Sequence, residues 1–269
     1  YMRKLGRKAL ALLMSTTLAF SMVSATALTA FADELAAGQA DLPRATTPMS
    51  SQIGTTTWTL DASGTLTIAP TDGNSGTLPS TADYIDDELM EDQAKGYEEA
   101  EGWRSEYKQA KKLDFQGAIA FPSSSQNAFE GFSIESVSSG AGSTVSFAAN
   151  TNCDEMFKGC RNLKDISGLE HWNMSSVVSA GGMFRECINL EKISALSTWV
   201  TSSLTSTSFM FSDCASLSDI SALSTWDTPS LTTTSYMFSD CASLSDISSL
   251  STWKTSSIES IGMFPGCTS

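Results

Sequence analysis

The chain of 269 residues holds a single histidine, His171, and no two cysteines at CxxC spacing. That scarcity removes the usual zinc sites, whose ligands are Cys and His at short fixed intervals. It also argues against nucleophilic catalysis, because a Cys or Ser nucleophile needs a positioned base and only one imidazole is present. No Gly-rich phosphate loop, nucleophile elbow or Asp-x-Asp-x-Asp-Gly calcium loop occurs. Basic residues are few, 16 Lys and Arg against 30 Asp and Glu, for a formal net charge of −14. Nucleic-acid affinity comes from neutralising phosphates, and anionic lipid surfaces recruit polybasic segments, so neither partner fits this balance. The expectation is a chain without catalysis, metal or cofactor.

What is present begins with an export signal. Arg3, Lys4, Arg7 and Lys8 form a basic segment, an apolar run follows from Ala9 to about Val23, and Ala30-Phe31-Ala32 precedes Asp33. This is the three-part pattern of a secretory signal peptide over 1–32. The apolar run is interrupted by Ser15, Thr16, Thr17 and Ser21 and is shorter than the roughly 20 residues of a membrane span. No Cys stands at the cleavage point, which argues against a lipid anchor, and Tyr1 before Met2 points to Met2 as the start. Without 1–32 the basic count falls from 16 to 16 − 4 = 12 against 30 acids, a charge of −18. Such a charge favours solubility outside a cell.

The second half is a repeat. Met-Phe-x-x-Cys recurs from Met156, Met183, Met210, Met237 and Met263, at intervals of 27, 27, 27 and 26 residues. Between these runs Leu-x-x-Ile-x-x-Leu-x-x-Trp: Leu163 to Trp172, Leu190 to Trp199, Leu217 to Trp226 and Leu244 to Trp253. Residues 210–226 and 237–253 differ only at Ala222 and Ser249. A fixed period in the range of 20 to 50 residues marks a solenoid or propeller, in which one unit cannot bury its apolar face alone and stacks on its copies. Each unit carries about eight inward apolar residues, each contributing roughly 1.5–3 kcal/mol when buried, before entropy.

Cys160, Cys187, Cys214, Cys241 and Cys267 share one phase of the repeat. Disulfide frameworks join different phases, so this reads as a buried ladder of small side chains, a role free Cys fills well. A spacing of about 5 Å between stacked neighbours still leaves a bridge geometrically possible. Cys153, out of phase, caps the ladder or pairs with Cys160. Within each unit, Met-Phe-x-x-Cys is expected as a helical or 3₁₀ turn, Leu-x-x-Ile as a short parallel strand, and Ser-x-Leu-Ser-Thr-Trp as a bend. A second extended piece follows, as at Thr201–Leu204. Ser221 and Ser248, with Thr198, Thr225 and Thr252, are placed to form hydroxyl ladders, and Asp219 and Asp246 read as a solvated edge.

The N-terminal part reads differently. Residues 33–52 are small, polar and Pro-containing, a linker. Trp58 and Leu60, then Leu66 and Ile68, alternate with polar residues around Ala62-Ser63-Gly64, a β-hairpin. Residues 70–82 are loop, and 83–101 carry nine acids read as a solvated segment. Trp103–Lys112 is expected as a short helix with Trp103, Tyr107 and Ala110 on one face. Residues 113–150 read as degenerate first turns. The organisation is therefore a signal peptide over 1–32, a linker over 33–52, a β-hairpin and short-helix cap over 53–127, and repeats over 128–269, truncated inside a unit.

The exposed positions that vary between units, Lys164, Asp165, Glu191, Lys192, Ser218 and Ser245, are the candidate binding surface. His171 takes the place that Thr198, Thr225 and Thr252 hold elsewhere and reads as exposed and structural. Phe209 and Tyr236 precede Met-Phe where flanking units have Gly182 and Gly262.

The Met-Phe-x-x-Cys…Leu-x-x-Ile…Trp unit over 156–269 resembles the BspA-type leucine-rich-repeat surface proteins, and within them the Met-Phe-x-x-Cys branch found in Mycoplasma surface lipoproteins. The segment Trp58 to Ile68 is similar to the hairpin that often precedes such repeats. This chain departs from the family pattern in its 27-residue unit, in Ser-Thr before Trp and in Ser and Thr replacing Asn after it. The resemblance implies a leucine-rich-repeat-like solenoid with short parallel strands and helical or 3₁₀ turns. It implies an exported bacterial protein displayed on the cell surface, binding protein or glycan on host or neighbouring cells. A passive stalk for a further domain is the alternative, and an enzyme whose catalytic domain lies elsewhere is a third reading.

Overall fold

Two three-residue alternations in the sequence, Trp58/Leu60 and Leu66/Ile68, become the inward faces of a hairpin. The computed structural model describes residues 49–80 and 107–267. The signal peptide, residues 33–48 of the linker, the acidic segment 83–101 and Trp103 lie outside the described residues. Strands β1 (Met49–Ile53), β2 (Thr56–Leu60) and β3 (Thr65–Pro70) form an antiparallel meander. The linker expected over 33–52 therefore gives way to a paired strand at Met49. Asp61 Oδ1 holds the β2–β3 turn by accepting from the backbone N–H of Ser63 and Thr65, at 2.8 and 2.9 Å, with Gly64 at φ +87°. The Ser63 hydroxyl and these amides keep the Asp61 carboxyl below its ordinary pKa.

At β3 the pairing changes sense. β5 (Lys112–Phe115) lies parallel to β3, and β7 (Ser136–Ser139) parallel to β5. A second sheet, β4 (Ser75–Thr77), β6 (Ala118–Phe121), β8 (Thr144–Phe147) and β10 (Trp172–Asn173), is parallel throughout. A third pairs β9 (Thr151–Asn152) with β11 (Val177–Ser179), again parallel. Each turn of chain thus adds one segment to each of three stacks. The stacking begins at β3, inside the region expected as a cap over 53–127. The short helix expected over 103–112 is absent from its described part: Tyr107–Gln109 is a turn and Lys112 already opens β5.

In the regular repeats the strands shrink to single parallel bridges, Lys192 with Asp219 on one stack and Ser179, Ser206 and Thr233 on another. The strand expected at Leu-x-x-Ile is therefore not formed; one bridge fixes register and side-chain stacking does the rest. The 3₁₀ helices fall elsewhere than expected, at Ser167–His171, Ser194–Thr198, Ser221–Thr225 and Ser248–Thr252, where the sequence suggested a bend. Asp165, Asp219 and Asp246 each accept the N–H of the first residue of such a helix through Oδ1, at 2.8–2.9 Å. These backbone bonds hold the Asp219 and Asp246 carboxyls below their ordinary pKa.

Met-Phe-x-x-Cys is not helical, and the backbone gives the reason. The residue before Met (Glu155, Gly182, Phe209, Tyr236, Gly262) and the residue before Cys (Gly159, Glu186, Asp213, Asp240, Gly266) are left-handed, with φ between +43° and +78°. Alternate N–H groups then leave the turn. Glu155, Phe157 and Gly159 donate to Gly181, Met183 and Arg185 one unit on, at 2.8–2.9 Å, while Met156, Lys158 and Cys160 donate back within their own turn. A continuous helix would direct every N–H along its own axis and leave nothing to join the units. Asn127 and Gly131 repeat this geometry around Ala128-Phe129, so Phe129 and Phe132 hold the places of Phe and Cys in a further turn.

The core is a set of columns. Trp58, Phe129, Phe157, Phe184, Phe211, Phe238 and Phe264 stack in order with centroids 5.4–6.0 Å apart. Trp199, Trp226 and Trp253 form another column, each indole N–H donating to the carbonyl of Leu169, Leu196 or Leu223 one unit back. Trp172 opens that row but turns among Phe115, Phe121 and Phe147, and its buried N–H has no partner.

The cysteine ladder forms as expected and gains a reason: each thiol donates to the Phe carbonyl one unit back. Cys160 bonds Phe129, Cys187 Phe157, Cys214 Phe184, Cys241 Phe211 and Cys267 Phe238, at 3.1–3.3 Å. All six cysteines are free thiols, and Cys153 is fully buried beside the ladder. The expected hydroxyl ladders take another form. Thr198, Thr225 and Thr252 donate to backbone carbonyls of Glu170, Ser197 and Ser224 in the preceding unit, while Ser221 and Ser248 have their N–H groups capped by Asp.

Candidate binding surface

The 27-residue period aligns the sequence candidates into two exposed columns. Lys164, Glu191, Ser218 and Ser245 share one phase, and Asp165 and Lys192 share the next with Asp219 and Asp246. Main-chain contacts fix them there: Lys164 and Asp165 donate to the Glu135 carbonyl, Ser218 donates to that of Glu191, and Lys192 bridges Asp219. All six side chains are exposed. Asp165 is also occupied in capping a 3₁₀ helix, so its role there is structural. The columns offer a row of varied charges along one edge and nothing arranged for chemistry.

His171 is exposed and lies 3.2 Å from the Glu170 carboxylate through Nε2. Its counterparts Thr198, Thr225 and Thr252 bond backbone between units. Among the described residues no group of three His, Cys, Asp or Glu is placed to hold a metal ion. Burial raises the thiol pKa of Cys160 and Cys241 to about 12 and those of Cys187 and Cys214 well above the ordinary value. Such thiols are not poised as nucleophiles.

A second surface lies over the Met-Phe-x-x-Cys turns. In the first units it is closed by ion pairs: Lys158 Nζ reaches Glu155 at 2.8 Å and Glu130 at 3.3 Å, and Arg161 reaches Glu186 at 2.9 Å. The Glu155 contact holds the Lys158 pKa above its ordinary value. In the next units Ser212 and Ser239 replace Lys158 and Arg185, and aromatic rings replace Glu155 and Gly182. Phe209 and Tyr236 stack with centroids 5.1 Å apart, and the Arg185 guanidinium lies 5.6 Å over the Phe209 ring. Phe209 remains 38% exposed, unlike Phe211 two residues on, which is fully buried. This surface was missed among the sequence candidates; its signal is the exchange of Gly182 and Gly262 for aromatics at one phase.

Residues 151–269 match the family described as "Mycoplasma protein of unknown function, DUF285", a span holding all five Met-Phe-x-x-Cys turns. No curated protein matches the chain. Among solved structures, similarity extends to a leucine rich cell surface protein from Faecalibacterium prausnitzii A2-165, at 18% identity and a TM-score of 0.30. That match covers 80% of this chain and 55% of that one, so the chain spans about half its length. A leucine-rich repeat protein from Eubacterium ventriosum ATCC 27560 is similar at 11% identity and a TM-score of 0.23, covering 82% of this chain and 76% of that one.

Proposed function

We propose that this chain is a leucine-rich-repeat-like solenoid of the BspA type, exported and displayed at a bacterial surface as a non-enzymatic scaffold that binds protein or glycan on host or neighbouring cells. The observation that carries this reading is the division of labour within each unit. Met, Phe, Cys, Leu and Trp pack in repeated columns, buried from unit to unit and partly so in the last, while an exposed phase changes: Lys164, Glu191, Ser218. A fixed core with a varied exterior is how stacked repeats present extended recognition surfaces. The basic, apolar and small-residue segments of 1–32 support export.

The near-identity of 210–226 and 237–253 favours a second reading, a passive spacer, because copied units add length without adding variety. Surface labelling of intact cells expressing the full chain, followed by adhesion of those cells to immobilised matrix proteins and glycans, separates the two. Binding above that of cells lacking the chain supports the scaffold. A labelled but non-adherent protein leaves the spacer, and an unlabelled, internal protein removes both readings.

A further inference from the structure

The stacked pair Phe209–Tyr236 sits at backbone positions that disfavour it. Both residues are left-handed, at φ +59° and +57°, a conformation that costs a non-Gly residue roughly 1–2 kcal/mol. The preceding and following units place Gly182 and Gly262 there. The fold asks for this backbone in every unit, Glu155 at φ +57° included; what sets these two units apart is a pair of large aromatic rings left partly exposed where their neighbours carry Glu or Gly.

The two ends of the pair differ. At the Phe209 end Gly182 supplies no side chain; the Glu155 side chain comes within 3.2 Å of where a Cβ on Gly182 would stand, and Arg185, three residues on, lays its guanidinium over the Phe209 ring. At the Tyr236 end Gly262 again supplies no side chain. There the residue three positions on is Pro265; chain neighbours aside, it alone comes within 4 Å of where a Cβ would stand. An acid remains at this end: Asp240, four residues after Tyr236, lies over Gly266 of the next unit, its Oδ2 accepting from the Ser239 hydroxyl at 2.8 Å. In the earlier units Lys158, Arg161 and Arg185 provide the cations for this surface; Ser212, Ser239 and Pro265 provide none.

We infer that the outer face of Tyr236, with the carboxylate of Asp240 four residues on in the same turn, docks a Lys or Arg side chain of a partner protein, in the manner that Arg185 already covers Phe209. A cation over an aromatic face next to a carboxylate is a complementary pairing, and the chain's charge of −14 draws basic partners toward it. The inference deepens the scaffold reading by naming the partner's chemistry, and rests on it.

The test uses the full chain and fluorescent oligoarginine and oligolysine peptides, with neutral Gly-Ser peptides and neutral oligosaccharides alongside. Tyr236→Gly and Tyr236→Asn both suit the left-handed backbone and keep the net charge. Each is expected to weaken basic-peptide binding about three- to tenfold, and Asp240→Asn to weaken it further. Asp227→Asn, the same charge change at a residue paired with Lys254, is expected to stay within about twofold. Equal affinity for wild type and both Tyr236 variants would overturn the inference, because attraction by bulk charge alone would then suffice. So would loss of oligosaccharide binding in those variants with peptide binding intact, which would make the aromatic pair a glycan site. In either case cell adhesion by the wild-type chain would leave the scaffold reading standing.

Discussion

The Trp58 indole lies on the Phe129 ring, centroids 6.0 Å apart with 26° between the planes, and so begins the column that five phenylalanines of the repeats continue. A residue of the antiparallel hairpin thus closes one end of the parallel stack. Its indole N–H is satisfied by the Thr56 hydroxyl at 3.1 Å, and Tyr107 packs against it at 5.6 Å. Replacing it uncovers the first stacked turn. Trp58→Ala is expected to cost about 3–5 kcal/mol in urea unfolding, with the loss concentrated in the first turns because stacked units interact mainly with their neighbours. Hydrogen exchange would place it: unchanged protection around Phe129 would contradict the capping role.

Phe209 and Phe211 are two residues apart and should behave oppositely. Phe211→Ala removes a fully buried ring of the central column and is expected to cost about 3–5 kcal/mol. Phe209→Gly forfeits the stack with Tyr236, about 0.5–1.5 kcal/mol, but relieves a left-handed backbone of roughly 1–2 kcal/mol. The two terms nearly cancel, so its melting temperature should stay near that of the wild type. A large destabilisation by Phe209→Gly would show that the exposed pair supports the fold.

Thiol reactivity follows burial. Alkylation of the native protein without reductant at neutral pH should modify Cys267 first, since it alone of the six is not fully enclosed. Cys160, Cys187, Cys214 and Cys241 should react only after denaturation, burial pushing the thiols of Cys160 and Cys241 up to about 12 and those of Cys187 and Cys214 well above their ordinary value. Removing one thiol, as in Cys214→Ala, loses its bond to the Phe184 carbonyl and is expected to cost about 1 kcal/mol or slightly more. Mass spectrometry that finds no free thiol in denatured, unreduced protein would replace the ladder with bridges.

Acid should loosen the repeats through their helix-capping carboxylates. Asp219 and Asp246 are held below the ordinary value of 3.8 in the folded protein, first by the backbone N–H groups of Ser221 and Ser248. A carboxyl depressed on folding adds stability that is fully present above its unfolded pKa and fades as pH falls through the lower folded value. Thermal stability should therefore be flat from neutral pH to about 5 and drop below about 4. Asp219→Ala with Asp246→Ala should lower stability at neutral pH and flatten the acid limb. An unchanged acid limb in that double variant would remove these caps as its source.

The period alone determined much of this protein. A segment repeated every 27 residues meets its copy in the same environment, so Phe157 above Phe184 and Cys187 above Cys214 follow from counting. So do the exposed columns of Lys164, Glu191, Ser218 and Ser245, because a side chain between two buried phases has only the outside left. The hairpin from Thr56 to Pro70 was legible for a similar local reason, alternation about a short turn. What tertiary structure decided depends on partners that lie far along the chain or one unit away. Met-Phe-x-x-Cys reads as helix by spacing, yet its alternate N–H groups are claimed by the next unit and two residues per turn go left-handed. β3 extends the parallel stack by pairing with β5, more than 40 residues on, a choice no local pattern encodes. Trp172 shares the motif of Trp199 but lacks a preceding Leu carbonyl, so it turns among phenylalanines. Arg185 covers Phe209 and Tyr236 backs the ring, a relation among three units of backbone that the one-dimensional pattern marks only as an exchanged glycine.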